Sequence, residues 1–167
     1  MKQFALFCLL MLLIGCDDGD LQIEVLDFDE STVQQCESTV TTATRIFFKI
    51  NDDEALILNL QSGLLKNEIS TDTIISTVPG QSKITYRIFS DKVSKNYFCD
   101  VIPPTEPIVS DEIEAEDGEV QVLTTMIDSV TFNHNIKLSG ISLVTESGER
   151  ITDLRIDDFG DVITKSN

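Results

Sequence analysis

Apolar residues in this chain recur at every second position, and that period limits the fold more than any other feature. Leu21, Ile23 and Val25 alternate with Gln22 and Glu24, and Ile46, Phe48 and Ile50 repeat the pattern. So do Leu56, Leu58 and Leu60, then Ile84, Tyr86 and Ile88, then Val120 and Val122, Ile136 and Leu138, and Ile141 and Leu143. A period of two sends neighbouring side chains to opposite faces, so each run reads as a strand with one buried and one wet face. β-Branched residues crowd the stretch holding Thr124, Thr125, Ile127, Val130 and Thr131, which favours strand again. The only helical candidate, Asn59 to Ile69, is interrupted by Gly63 and too weakly periodic to count as a helix.

Turn chemistry falls between these runs. Asn51-Asp52-Asp53-Glu54 should join two strands as a hairpin, and Pro79-Gly80 should break the chain before the next strand. Ser147-Gly148 reads as a tight turn between strands over 136–145 and 149–156. Asn133-His134-Asn135 reads as a polar turn. Many short strands with regular turns predict an all-β fold, an antiparallel sandwich or barrel-like domain. Pro103-Pro104-Thr105-Glu106-Pro107 is the one candidate boundary within it. The second half alone would have a marginal core, so a crossing inside one domain over 21–167 is the expected organisation.

The charge narrows the partners. Acids outnumber bases 29 to 12, a formal net charge of −17, and this leaves no basic footprint for nucleic acid. A 41% apolar content is enough to build a core, which separates the chain from disordered acidic sequences.

The first residues are of a different kind. A lysine at position 2 precedes the unbroken apolar run from Phe4 to Ile14, which is too short to span a bilayer. A charged start, a short apolar centre and a small residue before the cleavage point describe a secretory signal. The run ends in Leu13-Ile14-Gly15-Cys16, which resembles the lipobox of bacterial lipoproteins, Ile14 being bulkier than the usual residue there. The resemblance covers residues 1–20. It implies that residues 1–15 are a signal peptide, that Cys16 carries a diacylglycerol-based anchor, and that 16–20 form a lipidated tether to the bilayer. Asp17, Asp18 and Asp20 follow the cysteine. Acidic residues there resemble the surface-export signal of lipoproteins of the Bacteroidota, and also the inner-membrane retention signal of enterobacterial ones. The Ile/Thr/Asp-heavy style of the chain is closer to the first group. The expected address is therefore the outer membrane, facing the surface, with the periplasmic face of the inner membrane as the alternative. Beyond residue 20 the chain resembles the small surface lipoproteins of that phylum, which implies no particular activity.

Cys8 and Cys16 lie in or at the end of the leader, which leaves Cys36 and Cys99 as the pair within the folded part. In an oxidising compartment they are natural disulfide partners, and no C-x-x-C or zinc spacing competes. Between Asn96 and Ile136 there are nine acids and no Lys or Arg. Glu112, Glu114 and Glu116 would share one face of a strand, a weak calcium candidate lacking the ligand loop that hard cations favour. The plainer reading is a solvated acidic edge that discourages pairing with neighbours. Asp27-Phe28-Asp29 and Asp157-Asp158-Phe159-Gly160-Asp161 look like fragments of a cation loop without being one. Asp72-Thr73-Ile74 and Asp128-Ser129-Val130 weakly resemble the O-glycosylation sequon of the same phylum, at Thr73 and Ser129. His134, the single histidine, has no companion for a nucleophilic triad. No cofactor is expected beyond the lipid on Cys16. The reading that follows is a non-enzymatic envelope protein that binds a protein partner, a glycan or a cation, or simply assembles at the surface. The alternative is a small glycosidase-like hydrolase working through carboxylates, whose separation would decide its chemistry.

Overall fold

A computed structural model describes residues 25–151 and 153–166. The expected leader and lipidated tether, with Cys16, and most of the first apolar run lie outside the described residues. The fold is almost all β. A curled antiparallel sheet forms a half-barrel, with strands in the order β2-β3-β5-β6-β7-β9 and β4 also paired to β6. Its members are β2 (Ile46–Asn51), β3 (Glu54–Asn59), β4 (Ile74–Thr77), β5 (Lys83–Phe89), β6 (Val109–Met126), β7 (Thr131–Leu143) and β9 (Asp158–Lys165). β1 (Val25–Asp27) and β8 (Asp153–Arg155) make a separate parallel pair.

β6 is the longest strand, at 18 residues. Its first part pairs with β5, from Phe89↔Val109 to Thr85↔Glu114. Its second part pairs with β4, from Thr77↔Glu119 to Ile74↔Val122. β4 and β5 therefore run along β6 as one interrupted strand, and the Val78–Ser82 excursion between them sits opposite Gly118, whose carbonyl accepts from the Val78 N–H at 2.8 Å. There the pairing of β6 with β7 shifts register twice, between Ala115 and Glu119. Gly118 takes φ 128°, and a Cβ on it would lie 2.6 Å from Ile141 Cδ1 and 2.9 Å from Ile141 Cα. Only glycine permits both the backbone angle and the close approach.

The concave face is filled. Leu56 and Leu58, Ile84 and Tyr86, Ile113 and Ala115, Val120 and Val122, and Ile136 and Leu138 alternate inward from successive strands. Phe28, Phe47 and Phe159 join them from β1's end, β2 and β9. Each such side chain taken fully out of water contributes roughly 1.5–3 kcal/mol. A smaller cluster covers the opposite face of β2, β3 and β5: Ala55, Phe89 and Val93, with Tyr97 and Phe98 packed against them. Tyr97 and Phe98 belong to a short helix, α1 (Lys95–Cys99), which the period-two reading gave no sign of. Phe98 stacks on Phe48 with ring centroids 4.5 Å apart. Cys99 at the end of α1 is bonded to Cys36, with Cα atoms 5.1 Å apart.

Several local expectations hold and others need correcting. The β2–β3 hairpin turns at Asp52 and Asp53, with Asn51 opposite Glu54 and Asp52 at φ 52°. Asn59 to Ile69 contains no helix; it leaves β3 through turns and buries Leu60, Leu64 and Leu65. The Ser147-Gly148 turn exists, but its return arm makes only the Val144↔Arg150 bridge before turning away to become β8. The 103–107 segment lies between α1 and β6 and is largely exposed, and the strands flanking it, β5 and β6, pair with each other. Asp158 to Asp161 open β9, whereas Asp27 ends β1 and Phe28 and Asp29 lead out of it into a turn.

Two variants test this account. Gly118→Ala should lose about 2–4 kcal/mol of unfolding free energy, through strain plus the clash with Ile141. Gly140→Ala, with φ 63° but open space around it, should lose only about 1 kcal/mol. Equal losses in urea titrations would remove the role given to the Gly118 contact. Separately, Cys36→Ala or Cys99→Ala should cost about 4 kcal/mol, the loop-closure entropy of a 63-residue separation. An unchanged denaturation midpoint in either would argue that the bond contributes nothing to stability.

Candidate functional site

A half-barrel leaves a seam between its first and last strands, and here the seam lies between β2 and β9. Lys49, on the inward face of β2, reaches across it: the ammonium donates to the Asp158 carbonyl at 3.1 Å and lies 6.0 Å from the centre of the Phe159 ring. The side chain is buried, and desolvation pulls its pKa below the ordinary lysine value, opposed by the charges of Asp158, Asp29 and Asp27. Lys49, Asp158, Phe159 and Asp29, with Ser31 and Thr32, line a cleft of about 290 Å³.

The chain between β1 and β2 also helps close the seam. Gln34 exchanges two backbone hydrogen bonds with Phe48 on the edge of β2, at 2.8 and 2.9 Å. Val33 packs over Gly160 of β9, where a Cβ would come within 2.7 Å of the valine methyl. A larger cleft, about 540 Å³, lies between segment 33–41 and β9. Val33, Val40, Val162 and Ile163 give it apolar surface, while Gln35, Thr39, Asp161 and Lys165 supply polar groups. Sequence reasoning did not find this cleft. A signal was available in Asp161-Val162-Ile163-Thr164-Lys165, whose alternation marks a strand.

His134 is the clearest correction. It is not a turn residue but sits in the middle of β7, fully buried, paired to Thr124 on one side and Val162 on the other. Its Nδ1 lies 2.8 Å from Thr124 Oγ1 and its Nε2 2.8 Å from Thr164 Oγ1. Thr164 gives its single hydroxyl proton to Asn67 Oδ1 at 2.6 Å, so it must accept from Nε2–H. Nδ1 is then the bare nitrogen and accepts from Thr124. This donor chain fixes the neutral Nε2–H tautomer and ties the 61–73 loop to the sheet, with no carboxylate in contact. Asn133 and Asn135 project from the opposite face, and both donate to Asp161 Oδ1, at 2.9 and 3.1 Å.

The remaining expected sites are dispersed. Glu112, Glu114 and Glu116 do share the exposed face of β6, as their spacing requires. They are not on an edge, however, because β6 lies between β5 and β7. Glu112 is ion-paired with Arg87 on β5. Among the described residues, no three of His, Cys, Asp and Glu come together as a metal-holding group. Thr73 is exposed just before β4, and Ser129 is exposed in the β6–β7 turn. There the Asp128 carboxylate accepts from the Val130 and Thr131 N–H groups, which hold its pKa below the usual range.

The buried ring makes a pH prediction. Desolvation lowers the His134 pKa in the folded state from its ordinary 6.5. As pH falls through about 6.5 the unfolded ring takes a proton while the folded one stays neutral, so stability present above that pH is progressively lost below it. Urea midpoints measured from pH 8 to pH 5 should fall more steeply for the wild type than for His134→Gln. Parallel curves would mean that the ring does not carry this linkage.

No protein-family model, curated protein or solved structure matches the chain.

Proposed function

We propose that this protein is a lipid-anchored envelope protein, held at the outer-membrane surface through Cys16, whose folded part binds or assembles rather than catalyses. The observation that carries the second half is the cleft beside β9. It combines aliphatic walls with a strand edge, and that is contact chemistry suited to a polypeptide. The state of His134 supports the same reading. Both ring nitrogens are engaged inside a closed donor chain, whereas a general base needs one nitrogen aimed at a substrate proton. The first half rests on Leu13-Ile14-Gly15-Cys16 and the acids after it.

A diacylglycerol plus an N-acyl group anchors stably, where a single acyl chain anchors only marginally. Cys16→Ser should therefore shift the protein from the membrane to the soluble fraction with its leader uncut. Protease added to intact cells should digest the wild-type protein and spare a periplasmic control. Full membrane retention of Cys16→Ser would sink the anchor, and protection from protease would turn the address to an inward face.

A further inference from the structure

β9 ends the seven-stranded sheet, and no described residue makes a backbone hydrogen bond to its outer edge between Asp161 and Lys165. An open edge is a template for another strand, and natural sheets guard such edges with charges, bulges or covering segments. Here the cover is partial. Val33 sits on Gly160, and beyond that contact the 540 Å³ cleft runs beside the edge.

The free stretch carries its own code. Asp161, Ile163 and Lys165 are exposed on one face, Ile163 at 50%, while Val162 and Thr164 are buried on the other. Acid, aliphatic and base at alternate positions form a self-complementary row. In an antiparallel pairing centred on Ile163, Asp161 of each copy lies opposite Lys165 of the other, and the two isoleucines meet at the centre. A two-fold axis through that centre, perpendicular to the sheet, keeps all six side chains on one face and makes the contact isologous. Parallel in-register pairing would instead set Asp161 against Asp161 and Lys165 against Lys165, which is unfavourable. A lysine alone on such an edge would be a guard; with an acid four residues before it, it is half of a match.

We propose that two copies of this chain pair edge to edge through β9, in antiparallel register about Ile163. This names the partner for the contact surface put forward above and so rests on that reading. The acidic charge of each copy opposes association, but at physiological salt such repulsion is screened beyond about 8 Å, whereas the paired side chains lie within about 5.5 Å.

The test uses the full-length protein in its own membrane. Residues directly opposite in an antiparallel pair have Cα atoms about 4.5–5.5 Å apart, within disulfide reach. Under mild oxidation, Ile163→Cys should give a dimer on a non-reducing gel, and Ile75→Cys, equally exposed on β4, should stay monomeric. In sedimentation of the detergent-solubilised protein, Asp161→Lys and Lys165→Asp should each weaken the dimer about tenfold, because two attractive pairs become repulsive. The double reversal should recover most of it, short of what is lost with the Asn133 and Asn135 hydrogen bonds to Asp161. A monomeric Ile163→Cys variant, or a double reversal no better than the singles, overturns the inference. Cross-linking of Ile163→Cys to a different protein also overturns it while leaving the binding role in place. A dimer that persists in a wild-type protein whose Cys16→Ser variant stays in the membrane separates the two failures the other way.

Discussion

A strand of 18 residues cannot remain flat and still enclose a core, so the architecture depends on how β6 bends. The bend is at Gly118. At that point β6 exchanges one neighbour for another, β5 before it and β4 after it, and its pairing with β7 slips. The backbone angle there and the closeness of Ile141 exclude any side chain. On one side the sheet packs Leu56, Ile84 and Tyr86, and on the other Val122, Ile136 and Val162, all into the same interior. Without the bend these would be two wet-backed sheets with their apolar faces unmatched.

Closing the curl is a separate problem, and the chain solves it with polar as well as apolar groups. Lys49 points inward from β2, where a lysine is costly, and is compensated by the Asp158 carbonyl, by three carboxylates at longer range and by the Phe159 ring. Removing such a charge from water is tolerable only with partners placed in advance. The arrangement thus specifies which part of β9 faces β2, a selectivity that aliphatic packing alone would supply less sharply. Val33 over Gly160 and the Gln34–Phe48 pair complete the join without a full strand.

How much of this is legible in the sequence depends on phase. Where inward residues are apolar and regularly spaced, as in β2, β3 and β5, alternation reads directly as strand. The Cys36–Cys99 pair is also legible, because the other two cysteines, Cys8 and Cys16, fall in the apolar amino-terminal stretch read as a leader. The polar Asn neighbours of His134 mask its place in a strand, yet Phe132, His134, Ile136 and Leu138 are all buried and keep one phase. Counting a histidine as an inward residue would have exposed β7. β9 is only partly legible, and for a different reason: 161–165 alternates, but its start does not. Its buried residues are Phe159, Val162 and Thr164, and the step of three comes at the bulge around Gly160, where the register with β7 shifts. α1 left no trace, since five residues are too few for a helical period, and its position is set by Phe48, Phe89 and Cys36 rather than by propensity. The cleft follows from the meeting of distant segments, which no local pattern records.

The disulfide has a mechanical consequence. If the chain is held by its amino-terminal end, as proposed, any drag on the folded part passes through Val25, and what resists first is the three-residue pairing of β1 with β8. That contact is short, and peeling it would draw out the segment that follows. The unravelling meets a covalent stop at Cys36, where the load passes to Cys99 and into the aromatic cluster packed on β2, β3 and β5. The bond thus limits how far such unravelling can run: Val33 and Gln34, which lie before Cys36, would leave the seam, but β2 and Lys49 beyond it would be spared tension arriving along the backbone.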